Sequence, residues 1–228
     1  MFDTVLIGSL GALTDLRAQE RAAFNRAFAA RRMATRWDAA DYARILRAGR
    51  FSGVLGALSD MPEAARPAFL AEVEHHFRDL IDETTPALAP WTADLIRDAR
   101  RAGLRLALVA GAERQTALRV LAALFGTRAS VVFDLVTTPG PTTRPKPAPD
   151  LYADALAALH RTPDRALAFE TTRDGLRAAR AAGLPVFPAI ARTQAVEDFS
   201  DATGPRPETL RDARLAARAP APARLCAE

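Results

Sequence analysis

The chain has 228 residues, of which 49% are apolar, and it can therefore build one sizeable domain or a domain with an insertion. No apolar run reaches the length of a transmembrane helix, and the single cysteine, Cys226, excludes an intrachain disulfide. The formal net charge of +4 comes from arginines scattered among Asp and Glu, a pattern that does not favour nucleic-acid binding. With no signal-peptide pattern in the first residues, these features predict a cytoplasmic protein.

The first third of the chain combines one strand with a run of helices. Residues 2–7 are apolar enough for a buried strand. Apolar residues at helical spacing then predict helices over 17–31, 38–46 and 67–82, with Asp38 as a helix N-cap. Residues 47–53 are predicted to form a loop. Because residues 14–89 lack strand signals, they are predicted to form an inserted α-helical cap domain.

The rest of the chain alternates between strands and helices. Strands are predicted at 104–109, 131–136, 166–169 and 184–187, and helices at 92–102, 114–124, 150–159 and 174–182. This alternation predicts an α/β fold, a doubly wound parallel sheet built from residues 1–13 and 90–203. Residues 204–228 are rich in Pro, Arg and Ala and are predicted to be a mobile tail, with a short helix near 207–216.

Several segments resemble a known family. An apolar strand followed by residues 8–15 resembles the opening of haloacid-dehalogenase (HAD)-type phosphatases, whose pattern is a strand and then D-x-D-G-x-L; residues 21–28, 146–152 and 175–185 extend the likeness. The likeness reaches about Ala202. It is strongest to the phosphosugar branch with a helical cap, which includes CbbY-type xylulose-1,5-bisphosphate phosphatases, phosphoglycolate phosphatases and β-phosphoglucomutases. It implies a HAD-like Rossmannoid core and Mg²⁺-dependent hydrolysis of phosphoric monoesters.

Four catalytic positions that the resemblance implies carry other residues in this chain. The aspartate nucleophile is replaced by Gly8, and the aspartate that acts as general acid and base is replaced by Leu10. The hydroxyl residue that holds the transferring phosphate is replaced by Ala110, and the main metal-ligating aspartate is replaced by Thr171. No catalytic residue and no metal ligand is therefore predicted, and no cofactor is expected, although the family uses Mg²⁺.

Two positions keep the residue type that the resemblance implies. Lys146, the only lysine of the chain, matches the lysine that neutralises phosphate, and Glu170 opens the acidic motif. They are candidates for a retained anion pocket. Alternatively, Lys146 is inherited and is now exposed or paired with Glu170. In the cap, Glu20 stands where the family often has a histidine, and its negative charge does not favour the same phosphosugar substrate.

The substitutions lead to a first hypothesis and two alternatives. The chain is predicted to be a non-catalytic pseudo-phosphatase that acts as a binding, regulatory or complex subunit, with a protein or a phosphorylated metabolite as its partner. Leu10 makes the old pocket more apolar, which favours a protein or an apolar ligand over an anion. The first alternative is a phosphosugar hydrolase with an unrecognised nucleophile, for which Asp15, Asp134 and Glu170 are the candidates, or with a nucleophile supplied by a partner; the hydroxyls of Ser9 and Thr14 have no evident base. The second is a purely structural subunit of a complex.

Overall fold

The structure is a computed structural model, and it describes residues 1–84, 86–189, 199–200 and 202–217. Its centre is a sheet of five parallel strands in the order β3-β2-β1-β4-β5. The strands are β1 (Thr4–Gly8), β2 (Arg105–Val109), β3 (Leu135–Thr137), β4 (Ala166–Glu170) and β5 (Val186–Pro188).

The central strand shows why the sheet is covered on both faces. All five residues of β1 are buried, as expected for a parallel strand between two layers of helices. Val5 and Ile7 belong to one apolar cluster, whereas Leu6 belongs to a second cluster on the other face. The predicted doubly wound α/β sheet is therefore confirmed.

Ten α-helices are found in the described residues, and eight of them lie within three residues of predicted helices. Four lie between β1 and β2: α1 (Arg17–Ala30), α2 (Ala39–Arg47), α3 (Arg50–Ala57) and α4 (Arg66–Asp82). The others are α5 (Pro90–Arg101), α6 (Arg114–Phe125), α7 (Ala129–Val132), α8 (Asp150–Ala158), α9 (Arg173–Ala181) and α10 (Leu210–Ala216). None of the described helices is both long and apolar enough to cross a membrane.

Aromatic residues join α1 to α4 and to the segment that leads into α2. Phe24 lies 4.7 Å from Trp37 between ring centroids, and Phe28 lies 5.1 Å from Phe69. Asp38 caps α2 in the predicted way, since its side chain accepts a hydrogen bond from the Asp41 amide and the Asp41 side chain accepts one from the Asp38 amide.

The loop predicted for residues 47–53 is wrong, because α3 begins inside it at Arg50. Gly49 has a φ of 96°, a conformation that favours glycine and turns the chain into the new helix. Val54 and Leu58 then lie one helical turn apart and are both buried. Tertiary packing of this apolar pair overrides the weak helix propensity of the glycines around it.

The strand predicted over 131–136 is only partly present. Residues 129–132 form the short helix α7, and β3 starts at Leu135. Asp134 explains the late start, because its carboxylate accepts a hydrogen bond from the Leu106 amide at 2.8 Å and its own amide donates to the Leu106 carbonyl. Val131 remains largely exposed rather than joining the sheet.

Residues 204–217, which belong to the predicted tail, pack against the rest of the chain. Leu210 and Ala213 of α10 are buried in the main core, which confirms the predicted short helix. The Trp91 indole donates a hydrogen bond to the Pro207 carbonyl at 3.0 Å, and Arg214 donates to the Phe2 carbonyl at 2.7 Å. Residues 218–228, with Cys226, lie outside the described part of the chain.

Candidate functional site

The site lies where the carboxyl ends of the strands face the cap. In parallel α/β sheets this edge is where ligands bind. Gly8 ends β1, Ala110 follows β2, and Glu170 ends β4, so the topology brings these three predicted positions to one edge. A cavity of about 370 Å³ opens between this edge and helices of the cap. Lys146, from the segment before α8, completes the edge and lines the cavity.

Glu170 fills the space next to Gly8. A Cβ atom at Gly8 would overlap with the Glu170 carboxylate and with the Tyr152 hydroxyl, and a Cβ at Gly175 would also overlap with Glu170. The Glu170 side chain is fully buried, packed between these two glycines. Gly8 is therefore a structural requirement of the present arrangement, because a larger side chain there needs Glu170 to move.

Lys146 and Glu170 form a buried ion pair. The Lys146 ammonium lies 2.5 Å from Glu170 Oε1 and also donates to the Val109 carbonyl at 3.1 Å. The Tyr152 hydroxyl donates to the same Glu170 oxygen at 2.7 Å, and the Lys146 ammonium lies 5.0 Å from the Tyr152 ring centre. Burial and the nearby Glu170 charge raise the pKa of Tyr152 well above its ordinary value, so its hydroxyl stays protonated and donates.

The residues around Glu170 do not fit a Mg²⁺ ion. Its second oxygen, Oε2, accepts a hydrogen bond from the Thr171 amide at 3.0 Å, and its first oxygen is held by Lys146 and Tyr152. Within the described residues, no group of three or more His, Cys, Asp or Glu side chains could hold a metal. Mg²⁺ needs several oxygen ligands in octahedral array, and position 8 supplies none.

The other predicted positions of this edge carry no group that could act on a phosphate ester. Leu10 and Ala110 are buried apolar residues of the main core, and the Ala110 amide is used in a hydrogen bond to the Thr137 carbonyl at 2.9 Å. Ser9 lines the cavity with a φ of 64°, and its hydroxyl lies 2.5 Å from the Thr171 hydroxyl. A hydroxyl paired with another hydroxyl gains no general base from it.

A second ion pair faces the cavity from the cap. Arg50 lies 2.6 Å from Glu20 Oε1, and the Tyr42 hydroxyl donates to Glu20 Oε2 at 3.0 Å. Burial, together with the Glu20 charge, raises the pKa of Tyr42 well above its ordinary value. Sequence reasoning singled out Glu20 but missed Arg50, Tyr42 and Tyr152. Arg50 lies in the predicted loop, and no local sequence pattern marks either tyrosine as a site residue.

The remaining candidate nucleophiles lie elsewhere. Asp15 is exposed and paired with Arg17, whose hydrogen bond lowers the pKa of Asp15. Asp134 lies before β3 and next to the first residues of β2. It is therefore at the amino-terminal ends of the strands, opposite the carboxyl ends where Glu170 lies. Neither of the two aspartates is among the residues that line the cavity.

Comparison with known proteins identifies the family. A family model described as haloacid dehalogenase-like hydrolase matches residues 2–183. Protein CbbY of Rhodobacter capsulatus is 34% identical over 197 residues, which cover 84% of this chain and 87% of that protein. CbbY of Cereibacter sphaeroides is 33% identical over 81% of this chain and 82% of its own length.

Solved structures give the same result. The crystal structure of a CbbY mutant from Rhodobacter sphaeroides in complex with xylulose-1,5-bisphosphate has a TM-score of 0.78 and 31% sequence identity, over 93% of this chain and 95% of that one. A β-phosphoglucomutase from Clostridium difficile has a TM-score of 0.72 over 91% of both chains at 17% identity, which shows a shared fold. The chain belongs to the haloacid dehalogenase-like hydrolase family, with CbbY proteins among its relatives.

Proposed function

We propose that this chain is a non-catalytic member of its family, a pseudo-phosphatase that serves as a binding, regulatory or complex subunit in the cytoplasm. The observation that carries the proposal is the placement of Glu170. Its carboxylate fills the space beside Gly8 and neutralises Lys146, so the site holds its own counter-ion. A phosphoryl group would have to displace a buried, hydrogen-bonded carboxylate from the cation that would bind it.

The chemistry of phosphate transfer supports the same proposal. The family resemblance places a nucleophile at Gly8, a proton donor at Leu10, and a phosphate-binding hydroxyl at Ala110. Glycine, leucine and alanine cannot perform these steps. Groups of this kind act as a unit, and removing them together brings the rate to the uncatalysed background rather than lowering it in small increments.

A magnesium ion is not part of the proposal. Both oxygens of Glu170 already accept hydrogen bonds, and Thr171 offers a hydroxyl where the resemblance implies a carboxylate. The partner that best suits the site is a protein or a small molecule other than a phosphorylated metabolite, since Lys146 is occupied.

A turnover assay tests the proposal. The purified chain is incubated with Mg²⁺ and with xylulose-1,5-bisphosphate or other sugar phosphates, and phosphate release is measured beside CbbY of Rhodobacter sphaeroides as the positive control. We expect release at the rate of the protein-free buffer. The matched variant is Glu170→Gln, which keeps the shape of the side chain. Mg²⁺-dependent release by the wild type above the rate of the protein-free buffer would overturn the proposal, and its loss in this variant would assign the activity to the site around Glu170.

A further inference from the structure

We propose that the cavity between the sheet edge and the cap binds an apolar small molecule that carries no negative charge. The inference rests on the proposed non-catalytic function and names the ligand class of the same site. Three properties of the cavity carry it: the pairing of its cations, the excess of carboxylates in its lining, and the apolar character of its walls.

Both cations that line the cavity are already neutralised. Lys146 pairs with Glu170, and Arg50 pairs with Glu20, each at a distance close to 2.5 Å. An incoming anion would have to compete with a carboxylate that is fixed in place and held by a second donor, Tyr152 in one case and Tyr42 in the other. Neither cation is therefore available to a phosphate without disruption of its pair.

The remaining charged groups of the lining are acidic. Glu74 and Asp174 both line the cavity in addition to Glu20. Burial raises the pKa of Glu74, although Thr116, Arg50 and Arg78 act in the opposite direction. Three carboxylates and two cations thus line the cavity among the described residues, and because both cations are already paired, neither is free to neutralise a dianionic phosphosugar.

The walls are mainly apolar. Side chains from the cap and from the sheet edge meet across the cavity, among them Leu10, Phe24, Val54, Leu70, Val73 and Phe77. A volume of about 370 Å³ lies at the small end of the roughly 300–1,000 Å³ that ligand pockets occupy. Ser9 and Thr143 also line it, and each hydroxyl, although it has one partner, can form a further hydrogen bond that orients a largely apolar ligand.

A pair of fluorescent probes with the same ring system tests the charge preference directly. N-phenyl-1-naphthylamine is neutral, and 8-anilinonaphthalene-1-sulfonate has the same aromatic groups with a sulfonate added. We expect the neutral probe to bind to the full chain at least about tenfold more tightly than the sulfonate, because burying an uncompensated charge is costly. Equal or tighter binding of the sulfonate would overturn the inference, as would the absence of saturable binding by the neutral probe.

Two variants locate the probe and a third controls for surface effects. Leu70→Asp places a carboxylate in an apolar wall and should weaken neutral-probe binding about tenfold or more, while Leu118→Asp on the exposed surface of α6 should leave it unchanged. Glu20→Gln frees Arg50 and should selectively improve binding of the sulfonate. Each variant is first checked for cooperative unfolding, so that a loss of binding reports on the cavity. Identical behaviour of Leu70→Asp and Leu118→Asp would place the probe elsewhere and overturn the inference.

Competition by a sugar bisphosphate separates this inference from the proposed function. We expect no displacement of the neutral probe by xylulose-1,5-bisphosphate. Displacement without phosphate release would overturn the ligand class and leave the non-catalytic function intact. Phosphate release that depends on Glu170 would overturn the function itself, whatever the probes show.

Discussion

Two ion pairs face the same cavity from opposite sides, and they differ in their access to water. In the inner pair, Lys146 is 9% exposed and Glu170 is fully buried; in the outer pair, Arg50 is 48% exposed and Glu20 is 9% exposed. Each pair also receives a hydrogen bond from a buried tyrosine. Similar chemistry therefore stands in two environments: the inner pair is almost closed to water, whereas the outer pair is open to water through Arg50.

The largest expected effect follows from breaking the inner pair. Lys146→Met leaves the Glu170 carboxylate buried without its cation, which should lower the free energy of unfolding by about 3–5 kcal/mol. For a chain of this size that corresponds to a fall in Tm of roughly 6–20 °C, measurable by calorimetry or circular dichroism.

The control for this change is an exposed pair. Arg144 binds Asp150 at 2.7 Å but is 70% exposed, so Arg144→Met should lower the free energy of unfolding by less than about 1 kcal/mol. Replacing both members of the inner pair, as in Lys146→Met with Glu170→Leu, should recover most of the loss, because no buried charge is then left uncompensated. A Lys146→Met variant as stable as the Arg144→Met control would contradict the buried ion pair.

The next effect concerns the space that Glu170 occupies. A methyl group added by Gly8→Ala overlaps with the Glu170 carboxylate and the Tyr152 hydroxyl, and should lower the free energy of unfolding by about 1–3 kcal/mol. Gly56 is the matched control, since a Cβ there meets no atom within 4 Å, and Gly56→Ala in the exposed part of α3 should stabilise the chain by roughly 0.5–1 kcal/mol. Chemical denaturation of both variants provides the measurement. If both glycines tolerate alanine equally, Glu170 does not fill the space beside Gly8.

Breaking the outer pair should lower the free energy of unfolding much less than breaking the inner pair. Glu20→Gln removes the charge that faces Arg50 but keeps an oxygen that can accept the Tyr42 hydrogen bond, and half of Arg50 already contacts solvent. We expect the free energy of unfolding to fall by about 1 kcal/mol, because Glu20 is buried but Arg50 keeps its access to water. The midpoint of urea denaturation measures it. A loss comparable to that of Lys146→Met would remove the distinction between the two pairs.

The fold was largely predictable from the sequence because periodicity reports on burial. The continuous apolar run of β1 and the helical spacing in α4 have one dominant interpretation each, and both elements lie within a residue or two of the predicted bounds. The loop prediction for residues 47–53 was wrong because the glycines there weaken the helical pattern. The apolar pair Val54 and Leu58 stabilises the helix only through tertiary packing. The packing of residues 204–217 could not be predicted, because a Pro- and Arg-rich composition gives no sign of the contact between Trp91 and Pro207.

One contact of the site was predictable from the sequence. Pairing of Lys146 with Glu170 belonged to one of the two alternatives for that lysine, and the structure has the pair at 2.5 Å. The losses that the resemblance implies at Gly8 and Leu10 stay predictions. Tyr152 and Arg50 could not be predicted, since each reaches its carboxylate only after distant elements pack together. That Gly8 makes room for Glu170 is likewise a three-dimensional property, which no spacing of residues reveals.

The smallest effect concerns Glu74, which lines the same cavity. Burial raises its pKa in the folded state from an ordinary value of 4.5; repulsion by Glu113 adds to this, while Thr116, Arg50 and Arg78 act in the opposite direction. Because the folded pKa is the higher one, the folded chain binds the proton more tightly than the unfolded chain does. This contribution to stability is fully present below the unfolded pKa and is lost as pH rises through the folded pKa.

Glu74→Gln removes this loss of stability at higher pH, because the glutamine amide does not ionise. The variant should match the wild type in Tm at pH 4, below the ordinary value of 4.5, and exceed it at pH 7. We expect a difference of at most about 2–4 °C, the shift that about 1 kcal/mol produces in a chain of this size. Glu63→Gln, at an exposed position outside the cavity, is the control and should show no such change with pH. A Tm difference that is equal at both pH values, or negative at pH 7, would mean that the acidic wall of the cavity is solvated. The contrast between a closed inner site and an open outer one would then extend to the Glu74 carboxylate.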